Sequence, residues 1–138
     1  MELPTIRRTI DIEGTAEELW ELISTPEGWR AWLVDEAQLR IAPGSSGTVM
    51  DDGAERHVRI GTVTSGQRVT FDWWLADAER PSAVQLDVIR LDDQHSRLVI
   101  TERLNASASA STAASTAMRW ELRLLLLCAA ALPVLARA

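Results

Sequence analysis

The sequence predicts an α+β fold: a curved antiparallel sheet of about seven strands wrapped around a long C-terminal helix, with two short helices after the first strand. Three observations carry this expectation. Ile10 to Trp20 reads as a strand handing directly to a capped helix. The run from Trp120 to Leu135 reads as one long, mostly apolar helix, and the segment between shows the two-residue alternation of short strands.

In chain order, Ile6, Arg8, Ile10 and Ile12 share one side of a half-buried strand, with Arg8 a charge among isoleucines. Gly14 ends it. Thr15-Ala16-Glu17-Glu18 then has a capping-box pattern, in which the threonine hydroxyl accepts from a first-turn N–H and Glu18 reaches back. Leu19, Trp20, Leu22 and Ile23 give that helix its buried stripe. Thr25-Pro26 opens a second helix with proline at its favoured first position, and Trp29, Trp32 and Leu33 form its apolar face. From Glu36 onward the helical period disappears. Strands are expected near 36–41, 47–51, 55–64, 68–75, 82–91 and 96–104, separated by turns at 43–47, Asp52-Gly53, Ser65-Gly66 and 92–94. The clearest alternation sets Val69, Phe71, Trp73 and Leu75 against Thr70, Asp72 and Trp74. Hairpin-length turns make successive strands antiparallel.

Asn105 to Ala117 is a Ser/Ala/Thr tract, either a flexible connection or a weak leading turn of the last helix. Within that helix Trp120, Leu124 and Leu127 lie on one flank, and Leu122, Leu125, Ala129 and Leu132 on another. A helix apolar on more than one face is buried on more than one side. Core packing across a wide grip or contact with a second copy would each achieve this.

The 138 residues suffice for one domain, 1–138, with a core that needs neither disulfides nor metal. A net charge of −6, with no basic patch interleaved with aromatics, argues against nucleic acid or an anionic membrane as partner. The apolar C-terminal run lies between Arg123 and Arg137, is interrupted by Pro133, and falls short of the ~20 residues of a spanning helix. Cys128, the single cysteine, reads as a buried small hydrophobe and cannot form an internal disulfide. With no signal-peptide pattern at the start, a cytoplasmic location is expected. All 14 basic residues are arginine and tyrosine is absent, which excludes a lysine Schiff base and a tyrosine general acid.

Three pieces of the chain resemble the SRPBCC (START-like, helix-grip) superfamily, most closely its bacterial homologues of the activator of heat-shock-protein-90 ATPase. They are Ile10-x-Ile12-x-Gly14-Thr15-x-x-x-Leu19-Trp20 with Thr25-Pro26-Glu27-Gly28 and Trp32; Gly61-Thr62-Val63 with Arg68 to Trp73; and Ser96 to Glu102 with the tryptophan-led closing helix. The chain departs from the pattern where Arg119, not glycine, precedes Trp120, and where the Ser/Ala tract replaces the usual connection. The resemblance implies an apolar small molecule bound between sheet and last helix. It also brings two other roles, since some relatives are cyclases and the eukaryotic namesake binds a chaperone.

No nucleophile–base–orienter set is evident, so the reading leans away from an enzyme. His95 reads as a solvated turn residue, and His57 as a pocket-lining base only if its strand turns that face inward. Two isolated histidines predict no metal, and no cofactor is expected. Arg8 and Glu102 both occupy inward positions; they face each other if Ile10 pairs with Ile100 and Ile12 with Leu98. Such a pair is either a structural bridge at a cavity edge or an anchor for a ligand's polar end. Among the six tryptophans, Trp32, Trp73 and Trp120 are expected to wall the pocket together with Phe71, while Trp29 and Trp74 are expected at the surface or a dimer contact. The expected ligand-binding set is thus Trp32, Phe71, Trp73, Trp120, Glu102, Arg8 and His57, around an open cavity. The alternative is a co-chaperone-like or stress-related protein-interaction module, with an exposed apolar patch as its signature; a homodimer through the last helix is a separate expectation. A cyclase- or hydrolase-type enzyme drawing on Glu102, Arg8, Asp72 and His57 ranks last.

Overall fold

A computed structural model describes residues 5–75, 81–104 and 110–137. The chain runs β1 (Thr5–Glu13), α1 (Ala16–Ser24), α2 (Pro26–Trp32), β2 (Glu36–Gln38), β3 (Ser46–Asp51), β4 (Ala54–Thr64), β5 (Arg68–Leu75), β6 (Ser82–Arg90), β7 (His95–Arg103) and α3 (Ala110–Arg137). The strands form one antiparallel sheet in the order β1-β7-β6-β5-β4-β3-β2, so only the first strand leaves sequence order to pair with the last. This is the α+β helix-grip architecture the sequence predicts.

Local chemistry explains the boundaries. The Thr15 hydroxyl caps α1 by accepting from the Glu18 N–H at 3.0 Å. Thr25 joins the two short helices: its hydroxyl donates to the Glu21 carbonyl at 2.8 Å and accepts from the Gly28 N–H at 2.9 Å. Gly28 is required there, because a Cβ would lie 2.3 Å from the Glu21 carbonyl oxygen and 2.6 Å from the Leu22 Cα. The β3–β4 hairpin closes through Asp52 (φ 54°) and Gly53 (φ 78°), the paired left-handed positions of a type I′ turn. A bulge between Ile60 and Val63 shifts the β4–β5 register.

The β1–β7 pairing differs from expectation by two residues. Ile6 faces Glu102, Arg8 faces Ile100 and Ile10 faces Leu98. Because side chains alternate every residue, a two-residue displacement preserves the face and changes the partner. Arg8 therefore still faces α3, but it pairs with Glu121 at 2.6 Å instead of Glu102.

Helix α3 lays Trp120, Leu124 and Leu127 on the concave sheet, all buried. Its other flank is largely open among the described residues: Met118, Leu122, Leu125 and Leu126 are 53–68% exposed, so burial on two sides is not observed there, and the side chain of Leu132 lies outside the described residues. Helix starts within the Ser/Ala tract at Ala110, while 105–109 lie outside the described residues. Among the described residues no helix is long and apolar enough to cross a membrane.

Candidate functional site

Alternation on β5 turns Phe71 and Trp73 toward the concave side, where they meet Trp29 and Trp32 of α2 and Trp120 of α3. Ring centroids are separated by 4.8 Å for Trp29–Phe71, 5.3 Å for Phe71–Trp73, 6.0 Å for Trp73–Trp120 and 6.5 Å for Trp32–Trp120. None of the five is more than 2% exposed. The side chains expected to wall an open chamber instead pack against one another as a solid aromatic block. Trp29 belongs to that block and not to the surface.

Every buried indole N–H in the block has an acceptor. Trp29 and Trp32 donate to the Ile23 and Leu22 carbonyls at 2.7 and 2.8 Å, tying α2 to the end of α1. Trp73 and Trp120 donate to opposite oxygens of the Glu102 carboxylate, both at 2.8 Å. Glu102, buried on β7, is thus held by two hydrogen bonds to its charge, one from the sheet and one from α3. Arg123, three residues beyond Trp120, spreads its guanidinium over both rings, 5.0 Å from the Trp73 centroid and 4.5 Å from that of Trp120.

Arg123 also reaches Asp51, at 2.7 Å, and both side chains are 6% exposed. Asp51 is a hub: Arg119 approaches it at 2.7 Å and Arg56 at 3.3 Å, with Arg56 also 4.5 Å over the Trp73 ring. Burial pulls the Arg123 guanidinium below its ordinary pKa and Asp51 opposes this. The sequence reading missed this hub. A signal existed: Arg119 and Arg123 stand four apart around Trp120, on a helix whose tryptophan flank had to be buried.

The structure therefore gathers Trp32, Phe71, Trp73, Trp120 and Glu102 and leaves two expected partners elsewhere. Arg8 lies at the sheet edge with Glu121. His57 turns to the convex face, where it stacks on Trp74 with centroids 5.7 Å apart, because Val58 and Ile60 take the concave side. Asp72 shares that convex face, so Glu102, Arg8, Asp72 and His57 do not meet across one cleft. His95 opens β7 just past the 92–94 turn, with Asp92 at 2.8 Å. The Gln94 backbone N–H, then His95, holds the Asp92 carboxyl below its ordinary pKa. Among the described residues no His/Cys/Asp/Glu group is placed to hold a metal ion.

Open space exists on the other side of α1. A groove of about 400 Å³ lies between the end of β1, α1, the α1–α2 junction and the C-terminal half of α3. Ile12, Leu19, Leu22 and Ala130 give it an apolar floor, and Glu18, Glu21 and Glu27 stand along it. The hydrogen bonds of Trp29 and Trp32 to Ile23 and Leu22 brace the α1 wall from behind.

The fold recurs in solved structures. DynU16, from the dynemicin biosynthetic locus, superposes with a TM-score of 0.79 at 17% identity over 91% of this chain, which spans only 46% of that protein. Protein MLL2253 from Mesorhizobium loti gives 0.81 at 17% identity, covering 91% of this chain and 95% of that one. The Aha1 dimer from Colwellia psychrerythraea gives 0.76 at 16% identity, covering 92% and 95%. At such identities these likenesses carry the fold alone. No protein of curated function matches in sequence. The family model described as polyketide cyclase / dehydrase and lipid transport matches residues 4–135, nearly the whole chain. With its seven-stranded sheet closed on a C-terminal helix, the protein belongs to this family of the SRPBCC superfamily.

Proposed function

We propose that the protein binds an apolar small molecule in the groove between α1, the α1–α2 junction and the C-terminal half of α3. The apolar floor of that groove carries the reading: its size falls within the ~300–1,000 Å³ of small-molecule sites. The family description, with its polyketide and lipid chemistry, supports it. In this reading the aromatic block and Glu102 fix α3 against the sheet and touch no ligand, while Trp29 and Trp32 shape the groove from behind. Binding is favoured over catalysis, since Glu102, Arg8, Asp72 and His57 lie apart and outside the groove. A cytoplasmic setting fits a free Cys128 and a core that needs no disulfide.

Titration with the neutral dye Nile red tests the reading. Saturable binding is expected in the native chain, with at least about tenfold weaker binding in Ala130→Phe, whose ring fills the groove. No saturable binding by the native chain, or equal binding by Ala130→Phe, overturns it.

One observation favours self-association as a second role. Met118, Leu122 and Leu125 on exposed α3 follow the four-then-three spacing of a two-helix seam, which Ala129 continues. The occupant this spacing fits is the same helix of a second copy. Sedimentation should show a dimer that Leu122→Glu with Leu125→Glu converts to monomer; a native monomer at high concentration removes this reading.

A further inference from the structure

We infer that the groove selects its ligand by head-group charge, preferring an amphiphile with a cationic head over a neutral one and rejecting a carboxylate. The inference rests on the reading of the groove as a ligand site and specifies the chemistry it accepts.

The distribution of charge carries it. The polar residues along the groove are Glu18, Glu21, Glu27, Thr15 and Thr25; no arginine is among its described lining residues. Glu18 lies over Gly14, its Oε2 3.3 Å from where a Cβ at that position would stand, so the absent side chain gives this carboxylate its place beside the groove. The nearby cations are already paired with carboxylates, one of which, Glu27, belongs to the groove itself. Arg90 pairs with Glu17, and Arg30 lies 3.6 Å from Glu27. Arg56, Arg119 and Arg123 converge on Asp51. Arg137, the remaining basic residue of α3, has its backbone seven residues past Ala130, about 10 Å farther along the helix axis.

An α1 N-terminus would ordinarily attract an anion to this end of the groove. Here it is already served from within the chain. Thr15 takes the Glu18 N–H, and Glu17 and Glu18 occupy the first turn. A fatty-acid carboxylate would therefore meet carboxylates with no described cation free to neutralise it. An ammonium would find opposite charge over low-dielectric walls, where fields are focused.

Displacement of Nile red from the full chain by decyltrimethylammonium, decanol and decanoate, below their micelle concentrations, separates the possibilities. The ammonium is expected to displace dye at least about tenfold more effectively than the carboxylate at low salt, with decanol between them. High salt should compress the ratio. Glu18→Gln with Glu21→Gln should bring the ammonium-to-carboxylate ratio toward one, thermal unfolding confirming that the variant folds. If decanol displaces the dye and decanoate does so as well as the ammonium, the head-group inference fails while the groove reading stands. A native preference that the double substitution leaves unchanged also overturns it. If none of the three displaces the dye, both fail.

Discussion

Glu102 shows how one residue can be legible in position and illegible in role. Alternation between Ile100 and Leu104 turns it inward, and the structure keeps it there. Alternation fixes a face but not a register, so its indole partners were not readable. Glu102→Gln should be costly, because the amide presents an NH2 group where the carboxylate accepts an indole N–H. A loss of about 2–4 kcal/mol in urea denaturation at neutral pH is expected. Asp51 tests the hub: Asp51→Asn leaves Arg56, Arg119 and Arg123 together without their shared carboxylate, at a cost of about 3–5 kcal/mol. Arg119→Ala, removing a side chain that is 31% exposed, should cost about 1 kcal/mol or less. Equal costs would show that Asp51 does not organise the cluster.

Among elements, the strands and the two short helices were nearly all readable, because turn residues and capping threonines mark their ends. The exceptions are instructive. β2 stops at Gln38, short of the expected 41, as an edge strand with one neighbour. α3 starts at Ala110, inside a tract whose alanines favour helix although its serines and threonines do not. The close crossing of α1 and α2 predicts that Gly28→Ala lowers stability by about 1–3 kcal/mol in thermal unfolding, since the added methyl meets backbone that cannot swing aside.

Acid should loosen specific junctions between elements. Arg97, chiefly by its hydrogen bond, holds the Asp11 carboxyl below 3.8 and couples β1 to β7. Its own backbone N–H, then Arg90, holds Glu17 below 4.5 at the start of α1. A depressed folded-state pKa gives stability that is present above the unfolded value and lost as pH falls through the folded one. The melting temperature should therefore decline from about pH 4.5 downward, more steeply below 3.8, and Asp11→Asn should flatten that limb. An unchanged limb in the variant would show that the Asp11–Arg97 pair is not part of it. Because these pairs are exposed, each contributes little and the decline is shallow.

For the whole molecule, the architecture was legible because the order of β-α opening, strands and closing helix admits few arrangements. The location of open volume was not, because composition cannot tell tryptophans that line a space from tryptophans that fill it. The filled region and the groove have few residues in common, and Arg123 and Ala130 stand about 10 Å apart along α3. Stability changes in Ala130→Phe and Asp51→Asn should therefore add within about 0.5 kcal/mol in the double variant. A larger discrepancy in its urea midpoint would mean that the two regions respond as one.

The carboxylate clasped by two indoles then has an evolutionary consequence. If the groove holds a ligand, a lineage with this clasp can vary the outward glutamates beside it, Glu21 and Glu27, without gambling the integrity of the scaffold. Rim and chassis are free to diverge at different speeds.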